Sequence, residues 1–341
     1  MINRIMLPDE QWSLGSGISV HRVRVGCAVY KLLVLFVAVG YGGMLSQIPA
    51  EHFKDFGNYL IYAEHSWVRL LGMLDRGLLV TLSNEPVWLL INAGLGAFLT
   101  AETVVRIIIF GSATSVAWLV LRSDPRHFIW LLLFMLLPVV LKNHLVHLRQ
   151  GAAIALFLWG WFSPSRTVRS VLMGVTPFVH ASFFFVLAVH LVAKGARCLK
   201  LGPDVRTLVF GTMGVGVAFG LAWLASLLGA RQVETYNFAM TDVSGLGFVF
   251  WLLVFVIMVM DGRRFLREHA FETGIIVFYL STYWLIEITA RIFESGMLLV
   301  LLAGLALTGW RRPAFLVAII VYGIMTWLLR MGQPAMGFAG G

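Results

Sequence analysis

The residues best equipped for chemistry fall in a few short stretches. The densest is Lys142-Asn143-His144-Leu145-Val146-His147-Leu148-Arg149-Gln150, which runs straight into Gly151-Ala152-Ala153-Ile154-Ala155. Arg149 and Gln150, at the head of that alanine-rich helix, can face a cavity. His144 and His147 are three apart and share a face if the stretch is helical; the other reading is an interfacial basic cap that snorkels toward water. His180 lies in Thr176-Pro177-Phe178-Val179-His180-Ala181-Ser182. Its imidazole is the side chain best suited to move a proton near neutral pH, and it could equally hydrogen-bond a neighbouring carbonyl. Glu287 and Arg291 are four apart, followed by Glu294. On one helical face they either neutralise each other, or Glu287 holds Arg291 toward an anionic ligand. Glu102 and Arg106 repeat the spacing without other polar neighbours, which suits mutual neutralisation. Asp55-Phe56-Gly57-Asn58-Tyr59 and Asn84-Glu85-Pro86 complete the set; taken alone, the second is a helix start with proline at the first position.

These residues sit in a very apolar chain. Of its 341 residues 59% are hydrophobic and only 13% charged, against about 25% charged in an ordinary soluble domain. That excludes a soluble globule, a disordered chain and a disulfide-rich scaffold. Continuous apolar segments of about 20 residues, with few alternating strands, point to helices and not a barrel crossing a bilayer. The net charge of +9 would suggest nucleic acid on a soluble protein. Here no nucleic-acid partner is expected, because the charges lie in short connections between apolar runs, where basic residues mark the cytoplasmic side. Arginine outnumbers lysine 21 to 5; that skew suits phosphate recognition through the bidentate guanidinium, and a GC-rich genome equally well. Cys27 and Cys198 form no framework and no zinc spacing occurs, so no metal site is expected.

The expected fold is an all-α polytopic membrane protein, one integral membrane domain over residues 1–341. It has about 9–11 transmembrane helices and re-entrant segments, with a helical core over about 25–330 and an outer loop at 46–85. Arg4, Arg22, Arg24 and Lys31 put the N-terminus in the cytoplasm. The first apolar run, about Val25 to Leu45, lacks a cleavage site after it and stays as an anchor. Keeping the later basic connections inside requires the run 86–121 to cross once, with its first half in the outer leaflet. It also requires 170–193 to enter and return, bending near Pro177 and His180. This arrangement brings Glu85, His144, His147, Arg149, Tyr236 and Arg291 near one outer face, with His180 below. A simpler topology makes each long run a full span and strands Arg122, Arg126, Arg166 and Arg169 outside.

In this order the motifs resemble the EpsG family of bacterial membrane polysaccharide polymerases, related to the Wzy O-antigen polymerases. The resemblance rests on Asp55-x-x-Asn58-Tyr59, Glu85-Pro86 opening an apolar helix, Leu148-Arg149-Gln150-Gly151-Ala152-Ala153 and Phe178-Val179-His180-Ala181-Ser182. Tyr236, Ser244-Gly245-Leu246-Gly247 and Arg291-Ile292-Phe293 complete it. It covers roughly residues 25 to 310. The His-rich approach to Arg149 and the lack of a large periplasmic loop depart from the pattern. The resemblance implies a GT-C-like, metal-independent glycosyltransferase without cofactor in the bacterial inner (cytoplasmic) membrane, multi-pass. It would join oligosaccharide units carried on undecaprenyl diphosphate at the periplasmic face, alongside a flippase and a chain-length regulator.

The residue types suit that chemistry. A lipid diphosphate leaving group needs positive charge where negative charge develops, which Arg149 and Arg291 can supply. A sugar hydroxyl needs a base, and His180 or Glu85 could serve. Asp55, Asn58, Tyr59 and Tyr236 suit hydroxyl bonding and sugar stacking, with Gln150 and His147 beside the substrate. Three other classes remain. A membrane acyltransferase usually pairs Arg and His near its N-terminus; His21-Arg22 lies there, on the expected cytoplasmic side. A lipid-linked sugar flippase would show two related halves, and none is visible. A transferase of single sugars from a polyprenyl phosphate would want acidic residues outside, which Asp55 and Glu85 keep open.

Overall fold

Long apolar runs become helices, and prolines and glycines decide where they break. The computed structural model describes residues 20–49, 53, 55–227 and 244–330, with side chains over 28–49, 53, 55–220 and 244–329. Among them there is no strand. The helices are α1 (Val20–Gln47), α2 (Phe56–Asp75), α3 (Leu78–Ser83), α4 (Pro86–Gly96), α5 (Ala101–Leu121), α6 (Phe128–Met135), α7 (Pro138–Leu145) and α8 (Leu148–Trp161). They continue as α9 (Arg166–Val175), α10 (Ser182–Cys198), α11 (Pro203–Leu227), α12 (Leu246–Met260), α13 (Arg263–Glu268), α14 (Ala270–Thr282), α15 (Thr289–Leu305) and α16 (Arg311–Arg330).

Three described helices are long and apolar enough to cross a membrane: α1 over Ala28–Gln47, α5, and α16 over Arg311–Leu329. A fourth span results if Pro125–Met135 and Pro138–Leu145, bent by 67°, count as one. Phe36, Phe98 and Phe219 are 79%, 89% and 77% exposed, surface that water penalises and lipid does not. The chain is a helical membrane protein.

The run 86–121 divides at Gly96–Thr100 into short α4 and membrane-length α5, whose start is capped by the Thr100 hydroxyl accepting from the Thr103 N–H at 3.4 Å. The run 170–193 divides at Pro177, which donates no backbone hydrogen bond; a 3₁₀ turn, Thr176–Phe178, separates α9 from α10. The run 128–141 also breaks, before Pro138, where the preceding residue is pushed out of helical conformation; Leu137 is extended at φ −62° and ψ 135°.

Residues 46–85, expected as a polar loop, are largely helical. One side of α2 buries Tyr59, Tyr62, Ala63, Ser66 and Leu70 against α4, while Trp67, Val68 and Leu71 face outward. Acidic Glu64 and Asp75 gave the segment a polar look, but both lie on the exposed side.

Helix α5 is the axis. It buries 61% of its spanning window, against 22% for α1 and for α16. Antiparallel α1 lies along it, fixed where the Tyr30 hydroxyl donates to the Leu121 carbonyl at 2.7 Å and Arg106 donates to the Ser46 carbonyl at 3.3 Å. Arg106 thus bonds across to α1, and no ion pair joins it to Glu102. At the opposite side α12, α14, α15 and α16 interlock through Trp251, Phe293, Tyr279 and Tyr322. Asp261, at the end of α12, accepts from the Thr308 N–H at 3.0 Å, the Thr308 hydroxyl at 2.7 Å and Arg311 Nε at 2.7 Å. Burial pushes its carboxyl up, but these donors outweigh burial and hold it below the usual carboxylate range.

Helices α1 and α5 touch at Gly42, where an added Cβ would meet Thr114 Oγ1 and stand 2.8 Å from the Phe110 carbonyl oxygen. Gly40 has open space. Gly42→Val is therefore expected to cost about 1–3 kcal/mol, and Gly40→Ala to be neutral or stabilising by up to about 1 kcal/mol. Thermal unfolding of the two variants in one detergent checks the contrast.

Candidate functional site

Helices α4, α8, α10 and α15 all begin in one region. Glu85 precedes α4, His147 precedes α8, Ala181 precedes α10 and Ile288 precedes α15. Side chains tie these starts together. The Glu85 carboxylate is 3% exposed and binds the Arg149 guanidinium of α8 through Oε2. Its Oε1 accepts from His180 Nδ1 at 2.9 Å and from the Ala181 N–H at 3.1 Å. Gln150 Nε2 donates to the Arg291 carbonyl at 2.9 Å and to Ser295 Oγ at 3.1 Å. Ser295 Oγ donates to the same carbonyl at 2.9 Å and lies 2.8 Å from Ser182 Oγ at the head of α10.

Four helix starts together present partial positive charge and unpaired N–H groups. Lys142, Arg149 and Arg291 add cationic side chains against Glu85 and Glu294; Lys142 Nζ bonds Glu294 Oε1 at 3.1 Å. Arg291 is exposed and lies within electrostatic range of both His147 and His180. The ensemble is a cationic mouth lined by two imidazoles, suited to a phosphate or diphosphate.

Glu85 reaches this position through unusual backbone. It is left-handed at φ 60° and ψ 52°, a conformation that costs a non-glycine residue roughly 1–2 kcal/mol. Asn84 braces the turn by donating to the Val80 carbonyl at 2.7 Å. Strain of this kind persists where surrounding contacts over-determine it, and three donors on one carboxylate do so here.

The Glu85 contact also sets the tautomer of His180. Its Nδ1–H donates to Glu85, which leaves the ring's lone pair on Nε2, the arrangement of an oriented general base. The side chain keeps 14% exposure.

Other expected residues fall differently. Tyr59 is 5% exposed. Its hydroxyl donates to the Val146 carbonyl at 3.1 Å and accepts from the Leu148 N–H at 3.1 Å. It is therefore occupied in holding the α7–α8 break that aims Arg149, and does not present a hydroxyl to a sugar. Asp55 precedes α2 without capping it, and Asn58 is exposed on its first turn. Gln150 is 1% exposed and acts through α15. His144 and His147 do not share a helix, because the chain breaks between α7 and α8. His144 is fully buried with Nδ1 3.3 Å from Ser112 Oγ, whereas His147 lies within electrostatic range of Lys142, Arg149, His180 and Arg291. Glu287 lies in the turn before α15, so its four-residue spacing to Arg291 is not a helical one. Tyr236 lies outside the described residues.

Sequence reasoning did not single out Tyr62 or Ser295, and it carried Ser182 only as the last residue of the Phe178–Ser182 motif. The Arg149 guanidinium stands 5.6 Å from the Tyr62 ring centroid, and Trp88 packs edge-on to both Tyr59 and Tyr62 at 5.9 Å and 6.2 Å. The three-residue spacing of Tyr59 and Tyr62 was the available signal; Ser295 gave none.

Comparison of the chain with protein-family models, with curated proteins and with solved structures yields no match in any of the three.

Removing one partner of a buried ion pair strands the other. Glu85→Ala is expected to cost about 3–5 kcal/mol, and adding Arg149→Ala to recover part of it. A double-mutant cycle by thermal unfolding reads the coupling; strictly additive losses would show that the pair is not an energetic unit.

Proposed function

We propose that the chain is a polysaccharide polymerase, a GT-C-like glycosyltransferase of the EpsG/Wzy kind. It would sit in the bacterial inner membrane with about 9–11 spans, counting shorter and bent helices. Its substrate is an oligosaccharide unit on undecaprenyl diphosphate, joined at the periplasmic face, with a flippase and a chain-length regulator as partners. The observation that carries this reading is the Glu85–His180 contact beside Arg149 and Arg291, a proton acceptor next to an anion-binding mouth.

In the reaction, His180 Nε2 takes the proton of the acceptor sugar hydroxyl. The freed oxygen bonds the anomeric carbon of the donor chain. The bond from that carbon to the lipid diphosphate breaks, and the diphosphate leaves with the electron pair. Arg149, Arg291 and the helix starts stabilise the charge that develops on it, most strongly where water is excluded. Glu85 keeps the imidazole in the correct tautomer and stabilises the imidazolium that forms. Apolar surface around α2 and α4 suits the isoprenoid tail.

Complementation of a gene deletion tests the assignment. Single-unit surface glycan in the deletion is expected, rescued by wild type and not by His180→Ala or Arg149→Ala at matched expression. Losing the base alone should cost about 10²–10⁴ in rate. Full-length polymer lacking only a decoration would instead indicate an acyltransferase, and rescue by both variants would remove these residues from the active site.

A further inference from the structure

Helix α10 begins at the Glu85–His180 cluster and carries a second, different cluster at its other end. Its 17 residues span about 25 Å at 1.5 Å per residue, so the two regions are well separated. His190 stands at the middle of α10, and Lys194 and Arg197 stand at its far end. Arg169 of α9, Arg206 of α11 and Arg267 of α13 complete a ring of positive charge.

The balance of this ring is unusual. Arg206 is only 7% exposed, and its charged neighbours are Arg197 and Arg267, both positive. Its one side-chain hydrogen bond is a long one, from Nη1 to the Arg267 carbonyl at 3.4 Å, and its buried Nε bonds no described residue. His190 has Arg197, Lys194 and Arg169 as electrostatic neighbours. Its ring packs against Trp161 and Phe271 at 5.6 Å and 5.9 Å, and its buried Nδ1 bonds no described residue. Arg169 Nε is buried in the same condition.

Carboxylates do not balance these cations. Glu272 faces Arg197 and stands 3.9 Å from His269. Asp204 is engaged by Arg263 and Glu268 by Arg264. Among the described residues, no carboxylate forms an ion pair with Arg169, Lys194, Arg206 or Arg267. A buried guanidinium among like charges is expensive unless an anion joins it. The rim adds a second clue: Leu191, Leu199, Val205 and Leu208 are exposed apolar side chains beside the cluster.

We propose that this end of the bundle binds a phosphate-class anion between α10, α11 and α14, with Arg206 and Arg197 as its direct ligands. The apolar rim favours the phosphodiester of an anionic membrane lipid, whose acyl chains would lie on those leucines and Val205. Such a headgroup would supply the missing counter-charge and pin α11 to α10, far from the catalytic mouth and independent of its chemistry.

The test uses the full chain in detergent with added dioleoylphosphatidylglycerol, dioleoylphosphatidylcholine or inorganic phosphate. Thermal unfolding and native mass spectrometry read binding. Phosphatidylglycerol is expected to raise the unfolding midpoint by several degrees and to stay bound, and phosphatidylcholine to do neither. Arg206→Gln should weaken phosphatidylglycerol binding roughly ten-fold, as expected for one charge-assisted contact. Lys194→Gln, at an exposed position, should weaken it in the same direction and decides the matter if Arg206→Gln does not fold. Arg126→Gln, an exposed arginine elsewhere, should bind as wild type. Stabilisation by inorganic phosphate alone, lost in the same variants, would support the site with a soluble anion as its ligand. Equal binding by wild type, Arg206→Gln and Lys194→Gln, or no response to either phosphate source, would overturn the proposal.

Discussion

The Glu85 carboxylate is the constraint around which the rest is arranged. A buried carboxylate cannot remain charged without compensation, and no single helix here can provide it. Arg149 comes from α8, His180 and the Ala181 N–H from the head of α10. Each donor requires a broken helix. Arg149 is aimed by the α7–α8 break that Tyr59 holds, and His180 by the turn at Pro177. The left-handed backbone of Glu85 brings the acceptor to the same point. Interrupted helices that would be liabilities in lipid become useful because their free N–H groups converge where a charge must be held.

Convergence also explains why the second layer is polar. Ser182, Ser295 and Gln150 meet on the Arg291 carbonyl and fasten α15 to α8 and α10. None of the three touches Glu85, yet they set where Arg291 stands relative to His180. Under the proposed transferase chemistry small separations matter there, since a misplacement of about 1 Å can cost 10²-fold in rate. Gly151 belongs to the same layer: a Cβ there would collide with the Asn143 carbonyl and lie 3.1 Å from His144 Nδ1. The buried His144 thus serves packing at the place where α7 and α8 close on each other.

Much of this site was visible in the amino-acid sequence as separate residues and little of it as contacts. Arg149 and His180 stood out because charge and imidazole are costly in an apolar run, whereas Glu85 taken alone read as a helix start and entered the site through the topology and the resemblance. The charge-based topology put Glu85 and Arg149 near one outer face with His180 below, but did not show their direct contact, because Glu85 and His180 are 95 residues apart and periodicity speaks only of near neighbours. Helical spacing misled twice, at His144/His147 and Glu287/Arg291, because each pair spans a helix end. The α6–α7 bend had its cue in Pro138, which interrupts an otherwise continuous apolar stretch. Tyr59 was legible as a site residue by resemblance, whereas its use by two backbone groups depends on a break that composition does not show. The segment 46–85 looked polar because charges were counted along the chain; their placement on one side of α2 is what leaves the other side apolar.

Helix α10 joins the two charged regions, and they differ in kind. At its head, Glu85 and Glu294 meet the cations and N–H groups of the helix starts, with Arg291 left facing outward. At its foot the cations outnumber the carboxylates and Arg206 is buried among its own sign. A cluster whose charges are mostly paired can be rigid and preorganised, because those charges are held by one another before any ligand arrives. An unbalanced one is complete only with an outside anion. The same helix therefore joins a mouth whose charges are largely held by one another to a foot whose excess of positive charge calls for a partner.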